Sequence, residues 1–342
     1  MSYKQIEHTT AQRFFQALDW DNITMSYKDH RGLANELYKV GHPDLITIDN
    51  KTKQLRECGN YLQFTHAPNA GDTYLTGANF CHARLCPMCA WRLRVKTFET
   101  YRRAIFSIAK APTQSYVHIT LTIQNPAITS GLAFRADLDK LCDAYRRFRR
   151  RLHYADRGQY CLGTHGQLEV TINNEACTWH PHIHMLALVD QSFYKEQRQL
   201  MKMWRECLGD EGLTGGLFIQ HVKGNDANLH RAVAEVCKYA VGFTDKRGNL
   251  LIRNAGQYDA LNIALRKRRT SWDTGTIREA KRGVRDQDIT IDDLKKAEDV
   301  LYQYTLGYKG GQYKLARTLV HYKEAGGWRT VEMPPDHTGS TE

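Results

Sequence analysis

The sharpest chemical signal in this 342-residue chain is the run His180-Pro181-His182-Ile183-His184. Successive side chains of a β-strand alternate between its two faces, so the three histidines are expected to share one face. Three imidazoles on one face repel one another when they are protonated, and a bound metal ion accounts for the run more simply. The spacing therefore predicts a metal site with ligands from this strand.

Glu169, on the preceding predicted strand, is the first candidate for a further ligand. It falls on the polar face of segment 164–173, and antiparallel pairing would bring it beside the histidines. His118 and Gln167 are alternatives for this position, and His180 can displace either. A divalent ion held from one side has open positions at which it can polarise a phosphate group. Two histidines and a carboxylate also bind iron in certain oxygenases, which is an alternative interpretation.

Four cysteines near the N-terminus form a second group with metal-ligand spacing: Cys58, Cys81, Cys86 and Cys89. The Cys86-x-x-Cys89 loop can present two thiolates to one tetrahedral ion, and a neighbouring hairpin supplies the other two. We predict structural zinc here; a redox-active cysteine pair is the alternative, and His66 and His82 are substitute ligands. The other cysteines are expected to be small buried hydrophobic residues: Cys142, Cys161, Cys177, Cys207 and Cys237.

A predicted amphipathic helix over 227–243 carries Glu235 and Tyr239 one turn apart. A tyrosine phenolate that attacks a phosphodiester conserves the bond energy as a phosphotyrosine. A carboxylate one turn away can activate a water or hydroxyl group for the resolving step. The alternative is a tyrosine at the edge of the core beside an unrelated surface glutamate. Lys238 is expected on a more solvated side, as a possible DNA contact.

The chain is basic, with 48 Lys and Arg against 37 Asp and Glu and a formal net charge of +11. Such an excess suits a polyanionic partner, because basic side chains that neutralise phosphates release condensed counterions. Two runs beside Tyr145, Phe148 and Trp272 are predicted to combine backbone binding with base stacking. The predicted DNA-binding residues of these runs are Arg146, Arg147, Arg149, Arg150, Arg151, Arg266, Lys267, Arg268 and Arg269.

Hydrophobic periodicity places these groups on a recognisable order of elements, β-α-β-β-α-β-α. The predicted strands are 115–124, 164–173, 179–189 and 216–223, and the predicted helices are 130–154, 191–208 and 227–243. This order is the split βαβ pattern of ferredoxin-like antiparallel sheets, so the fold class is α+β. The helices cover one face of such a sheet, and the polar face remains available for a site.

The order of motifs predicts four segments along the chain. They are a helical N-terminal segment (1–55), a four-cysteine zinc module (56–95), a catalytic domain (96–250) and a mainly helical basic extension (251–342) with a last strand at 328–333. The composition, 42% hydrophobic and 25% charged, is that of a folded globular protein. The first residues contain no apolar signal core, and apolar runs are too short to cross a bilayer. A soluble intracellular protein without membrane contact is expected.

The motifs together resemble the plasmid rolling-circle replication initiators of the HUH endonuclease superfamily, in the branch with a single tyrosine. The resemblance lies in His180–His184, Leu168-Glu169-Val170, Glu235-x-x-Lys238-Tyr239 and the cysteine-rich segment 79–92, and it covers about residues 55–280. Gly242 departs from the pattern, because relatives often have a basic residue soon after the tyrosine. The fold implied is an HUH sheet with an N-terminal zinc-ribbon-like module and a helical C-terminal extension.

The resemblance implies a sequence-specific DNA nickase with strand-transfer activity. Tyr239 would form a 5′-phosphotyrosyl link and free a 3′-OH, and Glu235 would be the general base that ends the cycle. His182 and His184, with Glu169, would hold Mg²⁺ or Mn²⁺. The implied partners are plasmid origin DNA and a host helicase and polymerase, in the bacterial cytoplasm. An HUH transposase or conjugative relaxase is an alternative, and so is a non-catalytic zinc-ribbon protein that binds nucleic acid.

Overall fold

A computed structural model describes residues 3–41, 55–154, 161–190, 197–209, 215–223, 226–238, 240–284 and 290–333. The chain forms two compact units. The first consists of residues 1–36, 50–89 and 287–342, and the second of residues 37–49 and 90–286. Within the described ranges each unit contains one antiparallel five-stranded sheet, so the predicted α+β class is confirmed.

The first unit combines both ends of the chain in one sheet. Its helices are α1 (Tyr3–Ala17), α2 (Trp20–Gly41, which extends past the unit) and α9 (Ile291–Ala297), and its strands are β1 (Tyr61–Ala67), β2 (Asp72–Ala78), β8 (Val300–Lys309), β9 (Gln312–Glu324) and β10 (Gly327–Met333). The strand order is β10-β9-β8-β1-β2. Helix α1 packs on β8, where the Tyr304 hydroxyl donates to the Ala11 carbonyl at 2.8 Å. Thr290 and Asp293 form a capping box at the start of α9.

The second unit contains the predicted β-α-β-β-α-β-α order. Its strands are β3 (Gln114–Thr122), β4 (Cys161–Asn173), β5 (Thr178–Asp190), β6 (Leu217–His221) and β7 (Ser271–Thr274), and its helices are α3 (Pro87–Phe106, whose first turn belongs to the first unit), α4 (Gly131–Tyr154), α5 (Gln197–Leu208), α6 (Asp226–Val236), α7 (Ala255–Leu265) and α8 (Gly275–Gly283). The strand order is β6-β3-β5-β4-β7. Strand β7 was not predicted, because four residues are too few to show alternation.

The two faces of the second sheet have different neighbours. The histidine face carries Glu169, His182 and His184, and farther along it Leu186 and Leu188 pack under α6 and the end of α3. The opposite face is covered by α4, whose Phe134 ring stacks on Trp179 at 4.6 Å. Because α6 covers only part of the histidine face, the remainder stays available for chemistry.

Two regions depart from the secondary structure that the sequence predicts. Residues 300–324, expected to be helical, form β8 and β9 instead, because alternating aromatic and aliphatic residues such as Tyr302, Tyr304 and Leu306 pack on one face of a sheet. The predicted last strand at 328–333 is confirmed. Helix α6 ends at Val236 rather than at 243. Among the described helices, none has the length and apolar character needed to span a bilayer.

Candidate functional site

The centre of the histidine face is a compact cluster of one carboxylate and two imidazoles. The antiparallel register of β4 and β5 sets Glu169 directly opposite His182. One oxygen, Glu169 Oε2, lies 3.0 Å from Nε2 of His182 and 3.0 Å from Nε2 of His184. All three side chains are buried, and one ligand atom from each lies within 4.8 Å of the others. The structure thus brings together Glu169, His182 and His184, and His180, which strand alternation also placed on this face, is not part of the group.

The second ring nitrogens decide which atoms of this cluster are free to bind a cation. His182 Nδ1 lies 3.1 Å from the His180 carbonyl oxygen, which accepts a hydrogen bond from Nδ1, and Nε2 faces Glu169. His184 Nδ1 lies 3.2 Å from His118 Nε2. Such second hydrogen bonds orient metal-binding histidines. Two Nε2 atoms and a carboxylate oxygen that converge in this way are nitrogen and oxygen ligands that fit a divalent metal ion.

The alternative ligands lie around the cluster rather than in it. His118 bonds to His184, and burial lowers its pKa to about 4, which keeps the ring neutral. Gln167 donates to the Leu168 carbonyl at 3.2 Å. His180 Nδ1 lies 2.7 Å from Asn125 Oδ1, away from the other rings' metal-facing nitrogens. These placements leave Glu169 as the third member of the cluster.

Glu169 is ionised despite its burial. Burial alone raises the pKa of a carboxyl group, but the hydrogen bonds with His182 and His184 hold the pKa of Glu169 far below its ordinary range. The neighbouring cation Lys238, whose Nζ is 4.0 Å from Glu169 Oε2, acts in the same direction. The cluster therefore offers a negative charge to an incoming cation.

Helix α6 brings a second carboxylate to the edge of the cluster. Glu235 Oε1 lies 3.7 Å from His184 Nε2 and forms an ion pair with Lys238. Lys238 was expected to point to a solvated side; instead it faces two carboxylates, because the chain leaves the helix after Val236. Tyr239, the predicted nucleophile, lies outside the described residues. The described chain stops one residue before it, with Lys238 at the cluster.

A buried polar network next to the cluster was missed by sequence reasoning. Asp273 Oδ1 accepts from the Tyr101 hydroxyl at 2.6 Å and lies 2.7 Å from His165 Nδ1. Lys281 Nζ lies 3.2 Å from Asp273 Oδ2. Burial opposes ionisation of Asp273, but the hydrogen bond from His165 holds the pKa of this carboxyl well below its ordinary value. The four residues are far apart in sequence; the one available signal was that His165 shares the strand parity of Glu169.

This network also fixes the end of α6. His165 Nε2 lies 3.2 Å from the Val236 carbonyl oxygen, and its Nδ1 faces the Asp273 carboxylate. These two contacts hold the His165 ring between the last carbonyl of α6 and the carboxylate on β7. His165 therefore holds the turn from which the chain continues to Lys238.

In the first unit the four predicted cysteines converge. Their sulfur atoms lie 3.5 Å (Cys58–Cys89), 3.7 Å (Cys81–Cys89) and 3.5 Å (Cys58–Cys86) apart. Tetrahedral zinc with Zn–S bonds of about 2.3 Å requires sulfur separations of about 3.8 Å, whereas a disulfide requires about 2.05 Å. The group therefore has the size of a four-thiolate metal site.

Local backbone geometry supports a thiolate at Cys89. The His82 N–H donates to Cys89 Sγ at 3.2 Å, from a residue with φ of 53°. Hydrogen bonds from Cys58 and the other two sulfurs lower the pKa of the Cys89 thiol. The substitute ligand His66 lies on β1 with Nδ1 3.0 Å from Thr73 Oγ1, and neither it nor the His82 ring joins the cluster. Of the other cysteines, Cys177 is exposed, contrary to expectation, and the rest are buried as predicted: Cys142, Cys161, Cys207 and Cys237.

The predicted DNA-binding runs lie at the ends of α4 and α7, and α4 covers the opposite face from the histidine cluster. Arg268 is buried, with an ion pair to Asp139 at 2.8 Å, and Arg147 donates to the Cys207 carbonyl, so both have structural roles. The other members are at least partly exposed: Arg146, Arg149, Arg150, Arg151, Arg266, Lys267 and Arg269. The aromatic residues predicted to stack on bases are buried in the core instead: Tyr145, Phe148 and Trp272.

Comparison with known proteins gives the family of the chain. The profile described as "Replication protein" matches residues 72–323, well over half of the chain. The chain belongs to this replication protein family, and the resemblance to plasmid replication initiators seen in the motifs is confirmed.

Three relatives named "Protein rep" are each 29% identical to the chain over the aligned residues. One from Bacillus sp is 29% identical over 75% of this chain and 87% of its own length. Another from Bacillus amyloliquefaciens is 29% identical over 73% of this chain and 77% of its own. A third, from Streptococcus pneumoniae serotype 2, is 29% identical over 61% of this chain and 64% of its own length. No solved structure matches the chain significantly.

Proposed function

We propose that this replication initiator cuts one strand of its plasmid origin and conserves the broken bond as a phosphotyrosine at Tyr239. The observation that carries the proposal is the buried cluster of Glu169, His182 and His184, with Glu235 beside it on the helix that leads to the tyrosine. A metal ion held by these three ligand residues would keep one side open for a phosphate group. Membership of the replication protein family supports DNA as the substrate.

Glu169, His182 and His184 would hold the metal ion, Mg²⁺ or Mn²⁺, through one carboxylate oxygen and two Nε2 atoms. When bound, the ion supplies positive charge that offsets the charge developing on the phosphate oxygens. His118 and the His180 carbonyl keep the two rings in the orientation that this binding needs. The carboxylate also favours a hard divalent ion over a softer one.

The covalent step exchanges one phosphate ester for another. The Tyr239 oxygen forms a bond to phosphorus, the bond to O3′ breaks, and the leaving oxygen takes a proton to become the free 3′-OH. The 5′-phosphate remains on the tyrosine, so no energy source is needed for rejoining. In the resolving step Glu235 accepts the proton from the attacking hydroxyl group. Its ion pair with Lys238 holds the carboxylate beside the cluster.

The remaining groups have supporting roles in this proposal. Zn²⁺ bound by Cys58, Cys81, Cys86 and Cys89 stabilises the first unit. Exposed arginines of the two basic runs contribute affinity for the DNA backbone away from the cut, since they lie at the ends of α4 and α7. A host helicase and polymerase would use the freed 3′-OH in the bacterial cytoplasm.

The test is cleavage of labelled single-stranded origin DNA by the purified protein, with and without Mn²⁺. Wild type is expected to cut only with the metal ion, and Glu169→Ala and His184→Ala are expected to bind DNA without cutting it. His180→Ala is the matched control, because its ring lies outside the cluster while its carbonyl is retained. Binding of origin DNA by wild type without any metal-dependent cut would show a non-catalytic binding protein and refute the proposal.

A further inference from the structure

The edge of the histidine face carries a large aromatic side chain that the nicking chemistry does not use. Phe218, on edge strand β6, is 64% exposed. It pairs with Thr120, and Thr120 pairs with His184, so the three residues form one row across the sheet. Side chains in one row point to the same face. Phe218 therefore stands on the histidine face two strand spacings, about 10 Å, from His184.

A cavity of about 610 Å³ lies farther along β6, between this strand and α6. It reaches the cluster through His118 and Glu235, and two cations at its rim, Lys223 and Arg231, are exposed. Arg231 is held in place, since its Nη2 donates to Asn228 Oδ1 at 2.6 Å. The volume is in the range of small-ligand pockets, about 300–1,000 Å³. The cavity thus combines space, positive charge and continuity with the site.

An exposed aromatic ring beside a cationic cavity has the chemistry of a single-strand binding surface. Proteins hold unpaired nucleic acid by stacking bases on aromatic rings and by tracking the backbone with positive charge. A duplex would keep its bases stacked on each other and leave Phe218 without a partner. A neutral or cationic ligand would gain nothing from Lys223 and Arg231. The exposed ring and the two cations together therefore fit an unpaired nucleotide.

We propose that β6 forms a subsite for the unpaired strand next to the scissile phosphate, with one base on Phe218 and the phosphate of a nucleotide farther along the strand on Lys223 and Arg231. This subsite rests on the proposed function, because a phosphate at the metal cluster brings its neighbouring nucleotide to β6. A base lifted onto Phe218 is unpaired. The subsite would therefore select single-stranded or extruded DNA and orient the strand across the cluster.

The test measures binding of a short single-stranded origin oligonucleotide, in buffer without Mg²⁺, Mn²⁺ or a chelator, with 2-aminopurine at successive positions around the cut. Stacking on Phe218 is expected to quench the 2-aminopurine at one position in wild type and in Phe218→Trp. Phe218→Ala and Phe218→Leu are expected to lose the quenching and to bind about 10-fold more weakly, as stacking energies of about 1–3 kcal/mol per base indicate. Leu132→Ala is the matched control, since Leu132 is 71% exposed on α4.

In a second experiment, the nucleotide whose fluorescence is quenched is replaced in the oligonucleotide by one without a base. This replacement is expected to weaken wild-type binding about 10-fold and to leave Phe218→Ala binding nearly unchanged, because the partner of the ring is already gone. Lys223→Gln and Arg231→Gln are expected to reduce the salt dependence of binding by about one unit each. Lys202→Gln, on α5 and exposed, is the control for loss of a charge that lies in neither basic run nor the cavity lining.

The outcomes separate the subsite from the nicking proposal. Wild type that cuts origin DNA, together with a Phe218→Ala variant of unchanged affinity and quenching, overturns the subsite and leaves the nicking proposal standing. Equal losses from the abasic residue in wild type and in Phe218→Ala also overturn it. Absence of single-strand binding and cutting by wild type refutes both. Thermal unfolding of each variant confirms that the exposed substitution leaves the fold intact.

Discussion

Replacing Cys89 by Ser removes one sulfur from the cysteine cluster and tests whether zinc holds the first unit together. Cys89 lies on the first turn of α3 and contacts two of the other sulfurs, at 3.5 and 3.7 Å. These distances are close to the sulfur–sulfur separation of about 3.8 Å around a tetrahedral zinc ion. The serine hydroxyl binds zinc poorly, so the site should lose its metal.

The expected effect is large. Structural zinc contributes about 10–16 kcal/mol of binding free energy in small zinc domains, whereas whole domains are stable by about 5–15 kcal/mol. Loss of the ion is therefore expected to unfold the first unit. Cys142→Ser is the matched control, because Cys142 is buried in α4 away from the cluster and is not a ligand.

The assay combines zinc content by mass spectrometry with thermal unfolding of the full chain. We expect one tightly bound zinc in wild type and in Cys142→Ser, and none in Cys89→Ser, which should also lose an unfolding transition. Treatment of wild type with a strong chelator should reproduce the loss. A wild-type protein without zinc, or a Cys89→Ser variant that unfolds like wild type, would refute the reasoning.

Three further substitutions test the histidine face. Glu235→Ala should still nick DNA but accumulate the covalent complex, because the base of the resolving step is lost; a denaturing gel measures the complex. His118→Ala should weaken Mn²⁺ binding about 10- to 100-fold by releasing the His184 ring, as calorimetry would show. His165→Ala should destabilise the second unit by about 1–3 kcal/mol in urea unfolding, because the buried Asp273 carboxylate keeps Tyr101 and Lys281 but loses its hydrogen bond with His165. Since the pKa of Asp273 is depressed, this stabilisation is present above about pH 4 and is lost as the pH falls through the folded value.

Each of these expectations has a result that contradicts it. Normal turnover in Glu235→Ala removes that residue from the resolving step. Unchanged Mn²⁺ affinity in His118→Ala means that the His184 ring needs no support from this neighbour. A His165→Ala loss well below about 1 kcal/mol at neutral pH means that the buried hydrogen bond with Asp273 contributes little.

Strand alternation made the centre of the site predictable. His182, His184 and Glu169 share one face of the sheet whenever their two neighbouring strands pair antiparallel across a short turn. The structure pairs Glu169 with His182, in the register that the argument needed. Cys86-x-x-Cys89 was predictable for the same reason, since the spacing is local.

Features that depend on distant parts of the chain were not predictable. The network of His165, Asp273, Tyr101 and Lys281 joins four elements, and no local pattern links them. The arginine runs were predicted to bind DNA from their charge and their aromatic neighbours, but Arg268 is buried by its pairing with Asp139 and with backbone carbonyls of α4 and α7. Strand β8 was missed because its sheet partner β1 lies more than two hundred residues earlier.

The most direct test of the central claim is mass spectrometry of the protein after reaction with origin DNA and Mn²⁺. Protease and nuclease digestion should yield a peptide that carries a nucleotide 5′-phosphate on Tyr239, and Tyr239→Phe should yield none. The adduct should be absent when Glu169→Ala replaces wild type. A phosphotyrosyl adduct on another tyrosine, or cutting of origin DNA without any adduct, would contradict the account.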